Sequence, residues 1–326
     1  MNKTMSSNKK SKIIRRIENE VGVPNLFNIL AERITPTDLQ SLLLSVYQKQ
    51  ASRRKPRDIL LDYYSNKFMI PSRSDPLLLI EWDRLAFSNL PNDYESIEIS
   101  PIAPLGCVSC VAPISQDWIL TTIRNMEIVS DTTNILALEC ALRRQSLLHY
   151  EDTKRKEVHL AYSHRVVRSQ QYKGSELYQH FRIFSLCSAG PTRGNLDFEL
   201  KTINSHIRFY LDTIRDFLGD EITFRVVLLD MSPDSRNYSI LSDFVNKLNE
   251  RWGEENIQFE IVSNDKNEYY QDVRFSICCT QMHTREIELV DGGIVNWTQK
   301  FLNNSKERLI ISGIGSERLC EMRTKN

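Results

Sequence analysis

Two apolar runs constrain the fold of this chain more than any other feature. Residues 158–167 and 181–188 are dense in β-branched and aromatic side chains, and the polar stretch 168–180 joins them. Paired runs of that kind read as one long antiparallel hairpin. Further strands are expected at 222–229, 257–262, 273–279, 286–290 and 308–312, with 273–279 and 286–290 paired to each other. Helical spacing alternates with them. Residues 132–144 keep Ile135, Leu138 and Leu142 on one side, and 196–218 carry Leu200, Ile203, Ile207, Leu211 and Ile214 at steps of three and four before Gly219. Helices are also expected at 238–252, at 297–304 and from Glu317 onward. Hairpins in series with packed helices predict an α+β fold, an antiparallel sheet flanked by helices, rather than a doubly wound parallel sheet. Neither G-x-G-x-x-G nor G-x-x-x-x-G-K-[ST] occurs, which excludes Rossmann and P-loop nucleotide sites.

The first third has a different texture. Ile13, Ile14, Ile17 and Val21 recur at helical spacing, and Thr35-Pro36-Thr37-Asp38 starts a second helix with proline in its first turn. Pro71 and Pro76 bracket a polar linker. The expected division is a basic helical region, 1–75, and a core, 76–326. The formal net charge of the 326 residues is zero, yet residues 1–75 hold 14 Lys+Arg against 7 Asp+Glu, which leaves 28 against 35 for the rest. Such a basic segment suits RNA phosphates. The run Arg53-Arg54-Lys55-Pro56-Arg57 has no interleaved aromatic to stack a base, however, so a solvated helix end explains it as well.

Composition sets the remaining bounds. The apolar runs fall far short of the roughly 20 residues that span a bilayer, and the polar start has no signal-peptide core. A soluble, cytoplasmic protein without membrane partners is expected. The seven cysteines are odd in number and scattered, so no disulfide framework is expected. Cys107-x-x-Cys110 lacks the second ligand pair of a structural zinc site, and no metal site is predicted.

Four segments in order resemble the catalytic core of class II aminoacyl-tRNA synthetases, most of all the histidyl-tRNA synthetases and their paralogues. Tyr94-Glu95-Ser96-Ile97-Glu98-Ile99-Ser100-Pro101-Ile102 is similar to motif 1, the dimer element, and this implies a homodimer. Arg165-Val166-Val167-Arg168-Ser169-Gln170, followed after a loop by His180-Phe181-Arg182-Ile183-Phe184, is similar to motif 2. The resemblance makes Arg168 the residue on the ATP α-phosphate, Gln170 an adenine contact in place of the usual Glu, and Phe184 the platform under adenine. Ser312-Gly313-Ile314-Gly315-Ser316-Glu317-Arg318 resembles motif 3, with Gly313 and Gly315 allowing close approach and Arg318 on the γ-phosphate and adenine. Val129-Ser130-Asp131-Thr132-Thr133 resembles the stretch that holds the α-amino group, through Asp131 and Thr133. Tyr269-Tyr270 and Asp291-Gly292-Gly293 resemble the paired tyrosines and the glycine-rich stretch of the histidyl enzymes.

The resemblance covers about residues 90–326. It implies binding of ATP, with magnesium on its phosphates, and of an amino acid or related carboxylate. Two functions stay open. The chain is an amino-acid-activating ligase that forms an acyl-adenylate and passes it to an RNA or protein acceptor. Alternatively, it is an inactive paralogue acting as a regulatory or partner-binding subunit. The arginine that precedes the paired tyrosines in active histidyl enzymes is missing, with Lys266 nearby, and no anticodon-binding domain follows. Those features favour the second, whereas the two phosphate arginines, Arg168 and Arg318, and the carboxylate of Asp131 favour the first.

Overall fold

The computed structural model describes residues 2–324, apart from 152, 155, 170–178, 253–255, 264–268 and 282–284. Two compact units emerge: 1–64 together with 121–126, and 65–120 together with 127–326.

The first unit is built on the helices Asn2–Val21, Pro36–Ala51 and Pro56–Ser65. The second of them starts where the sequence places it. Thr35 Oγ1 accepts from the Asp38 amide at 3.2 Å and donates to the Asp38 carboxylate at 2.9 Å, and Pro36 fills the first turn. None of the described side chains in these helices is buried. Local capping and spacing, rather than a core, account for what is visible of their order.

The second unit is organised by one eight-stranded sheet. Its strands are β1 (Tyr94–Ser96), β4 (Val158–Val167), β5 (His180–Pro191), β6 (Ile222–Asp230), β7 (Ile257–Ser263), β8 (Gln271–Gln281), β9 (Ile287–Val295) and β10 (Glu307–Gly315), in the order β1-β4-β5-β10-β9-β8-β6-β7. A separate two-stranded sheet pairs β2 (Ile102–Pro104) with β3 (Met126–Ile128). The interior of the large sheet is antiparallel and only its two edge pairs, β1 with β4 and β6 with β7, are parallel. The α+β expectation holds, and the long hairpin is the β4–β5 pair, in register from Val158 opposite Ala189 to Val167 opposite His180.

Period-two alternation sends apolar side chains to both faces of this sheet, and each face has its own core. One is covered by the helices Pro76–Ser88, Asp197–Leu218, Tyr238–Trp252 and Ser316–Thr324, around Trp82, Phe184, Phe198 and Phe224. The other packs Leu160, Tyr162, Val166 and Ile311 against the helix Thr132–Leu148, Trp297 and the 107–119 segment. Strand β9 runs five residues beyond the expected end at 290. Its glycines allow this: a Cβ on Gly292 would lie 2.6 Å from Ser312 Cβ and 2.7 Å from Phe275 Cε1, so only glycine lets β9 lie flat against its neighbours there.

Candidate functional site

A cleft of about 1250 Å³ opens over the ends of β4, β5, β9 and β10. Its position follows from the hairpin. As β4 ends at Val167, the amide of Arg168 still bonds the Gln179 carbonyl at 2.9 Å, so the arginine is carried on the rim of a rigid ladder. Its guanidinium turns inward. Nε donates to the Ser130 carbonyl at 2.9 Å, Nη2 donates to Asp131 Oδ2 at 3.0 Å, and Cζ lies 5.1 Å from the centroid of the Phe181 ring.

Asp131 and Thr133 reach the same cleft because the helix Thr132–Leu148 begins there. Asp131 is its N-cap: Oδ1 accepts from the Thr133 amide at 2.9 Å and from the Thr133 hydroxyl at 2.8 Å. Tyr269 and Tyr270 stand beside them, ring to ring at 5.0 Å, with Tyr269 edge-on to Trp297. Burial pushes both phenols well above the ordinary tyrosine range, and nearby carboxylates (Asp131 for Tyr269, Asp291 for Tyr270) act in the same direction. Both are therefore proton donors at neutral pH, and Tyr270 donates to Asp291 Oδ2 at 2.8 Å. Arg274 Nε donates to the other oxygen of Asp291 at 2.8 Å.

At the opposite wall β10 runs straight into the helix Ser316–Thr324. Gly313 and Gly315 line the cleft there, and an added Cβ on Gly313 would press on Ile183 Cγ2 at 3.1 Å. Arg318 is exposed over the cleft and donates from Nη1 to the Glu288 carbonyl at 2.9 Å.

The structure thus gathers Arg168, Asp131, Thr133, Tyr269, Tyr270, Gly313, Gly315 and Arg318 around one cleft. It does not bring Phe184 there. Phe184 is fully buried in the opposite core, 5.1 Å from Phe87, 5.6 Å from Phe209 and 6.1 Å from Trp82. It lies three positions after Phe181, an odd step, and alternation puts the two on opposite faces. On this strand the aromatic that lines the cleft is Phe181, so the expectation that Phe184 faces the ligand is not met. Gly292 and Gly293 serve strand packing and do not line the cleft. Gln170 and Lys266 lie outside the described residues.

Sequence reasoning also missed an anchor beneath the cleft. Glu317 accepts from Arg165 Nη2 at 2.5 Å, from the Ser72 hydroxyl at 3.0 Å and from the Arg182 amide at 3.1 Å. It ties the start of the last helix to β4, β5 and the 65–75 segment. The available signal was the facing pair of Arg165 and Arg182, since each guanidinium needs its own acid: Glu317 takes Arg165 and Asp83 takes Arg182.

The sheet and its helices have the fold of the class II aminoacyl-tRNA synthetase core. Among solved structures it is similar to an ATP phosphoribosyltransferase regulatory subunit/histidyl-tRNA synthetase from Bacillus halodurans, at 14% identity over 79% of this chain and 84% of that one, with a TM-score of 0.57. A histidine–tRNA ligase subunit from Alicyclobacillus acidocaldarius matches at 10% identity over 80% and 97%, with a TM-score of 0.58. The histidyl-tRNA synthetase of S. aureus matches at 13% over 78% and 70%, with a TM-score of 0.51. No protein-family model and no curated protein sequence matches the chain.

Proposed function

We propose that this cleft binds ATP and an amino acid or related carboxylate, and that the chain is either an amino-acid-activating ligase or a paralogue that keeps the binding without the chemistry. The observation that carries the reading is the convergence on one cleft of Arg168, Phe181, Arg318, Asp131 and Thr133 from four separate elements. Arg168 suits the α-phosphate, because a guanidinium on a rigid strand end offers two parallel charge-assisted hydrogen bonds. Phe181 suits adenine, and Gly313 leaves space for a backbone contact to the nucleotide. Arg318 suits the outer phosphates. Asp131 suits an ammonium, with Tyr269 and Tyr270 as neutral donors beside it.

Magnesium would arrive with the phosphates. Among the described residues no three acidic, histidine or cysteine side chains form a metal-holding group, so the protein's own contribution would be single carboxylates of the β9 wall, such as Glu288.

The paralogue reading is favoured by the arginine missing before the paired tyrosines. Pyrophosphate exchange across the amino acids, with ATP binding measured in parallel, separates the two. Exchange with any amino acid supports the ligase. ATP binding without exchange supports the paralogue, and absence of both removes the nucleotide reading altogether.

A further inference from the structure

The residues assigned to opposite ends of the ligand hold one another. Arg168 is ion-paired with Asp131 at 3.0 Å and lies against the face of Phe181. One side chain therefore covers the aromatic surface suited to a base and neutralises the carboxylate suited to an ammonium. Asp131 has little acceptor capacity left. Thr133 takes two positions on Oδ1, Arg168 takes one on Oδ2, and an ionised carboxylate offers about four.

From this juxtaposition we infer that a cation and an anion enter the cleft with positive coupling, by exchange of the Arg168–Asp131 pair. The inference rests on the reading of the cleft as an ATP and amino-acid site. An ammonium approaching Asp131 alone meets the like charge of Arg168. An anion that draws Arg168 away alone leaves Asp131, whose side chain is only 18% exposed, without its partner. The two together satisfy both groups, with ammonium on Asp131 and phosphate on Arg168. Coupling of this kind is reciprocal, each ligand tightening the other by the same factor, typically about 5- to 150-fold. It also narrows the substrate class. The carboxylate partner of ATP carries an amino group, because an acid without one leaves Asp131 unpaired.

The test is calorimetric titration of the full chain with ATP and, separately, with pyrophosphate, for the parent, Asp131→Asn and Asp131→Ser. Asn and Ser are both good N-caps, so the helix Thr132–Leu148 keeps its start, and matched thermal melts verify the fold. Both variants should bind ATP at least fivefold more tightly than the parent. An equimolar mixture of the twenty amino acids should tighten ATP binding in the parent and leave the variants unchanged. Equal or weaker ATP binding by both variants overturns the inference while the ATP reading stands. Tighter pyrophosphate binding in the variants with no ATP binding in any form supports the exchange and removes the nucleotide reading. No anion binding by any form overturns both.

Discussion

At the scale of single residues, the cleft depends on which face of a strand a side chain occupies. Arg168→Ala should weaken ATP binding tenfold to a hundredfold, the loss of about 1.5–3 kcal/mol of charge-assisted contact. Arg165 sits three residues earlier, and alternation alone makes it a silent control. Its ion pair with Glu317 changes that expectation. Arg165→Ala should lower the melting temperature while leaving ATP affinity within a factor of about three, and an equal loss of affinity in the two variants would refute the assignment of Arg168. Phe181 and Phe184 divide in the same way. Phe184→Ala empties a site packed by Trp82, Phe87 and Phe209, and should cost about 3–5 kcal/mol of stability in denaturant titrations. Phe181→Ala should leave the denaturation midpoint nearly unchanged and weaken ATP by about 1–3 kcal/mol, the usual range for base stacking on an aromatic.

At the scale of elements, a polar chain crosses the apolar interior between the sheet and the helix Asp197–Leu218. Ser188 Oγ bonds His159 Nδ1 at 2.9 Å, Tyr94 at 3.0 Å and His206 Nε2 at 3.0 Å, and the other ring nitrogen of His206 bonds Ser312 Oγ at 2.8 Å. His206 is fully buried, and burial, with His159 as a lesser cause, pushes its pKa down to about 3. The unfolded chain titrates that imidazole near 6.5. Between these values the unfolded state holds a proton that the folded state does not. The contribution of neutral His206 is therefore complete above about pH 6.5 and is lost as pH falls toward 3, by up to about 1.4 kcal/mol per pH unit. Urea midpoints followed from pH 7 to 4 should fall less steeply in His206→Gln than in the parent. Identical slopes would mean that this histidine does not govern the acid limb.

At the scale of the whole molecule, two expectations concern assembly and division. The helix Pro76–Ser88, which leads into β1, exposes Leu77 at 74% and Ile80 at 61%. We propose that the homodimer implied by the motif 1 resemblance forms across this helix, where these two aliphatic side chains meet water. Sedimentation at micromolar concentration should give a dimer, and Leu77→Glu combined with Ile80→Glu should give a monomer. A monomeric parent removes the proposal. The 52–55 turn between two helices of the first unit exposes Arg53, Arg54 and Lys55. Brief trypsin treatment should cut there first and leave the second unit intact. Early cleavage within β4, β5 or β10 instead would contradict the separate N-terminal unit. The 65–75 segment belongs with the core unit, to which Ser72 is tied through Glu317 and Ile70 through its carbonyl to His180 Nε2 at 2.7 Å.

Much of this protein is legible in one dimension, because period and punctuation are local properties. The β4–β5 hairpin, the helix ending at Gly219 and the start at Thr35 all follow from spacing and from the hydrogen-bonding capacity of single side chains. What neighbours in sequence do not encode is which strands lie side by side. The placement of β10 between β5 and β9 brings Gly313 and Arg318 across from Arg168, and it decides that Glu317 holds Arg165. Tertiary pairing likewise made strand glycines of the glycine-rich stretch, with Gly292 pressed against Phe275 and Ser312 and Gly293 against Val273 and Tyr270. It also put Phe184 in a core and Phe181 in the cleft. Local chemistry set the elements, whereas long-range sheet order, fixed by burying two apolar faces at once, decided which residues meet.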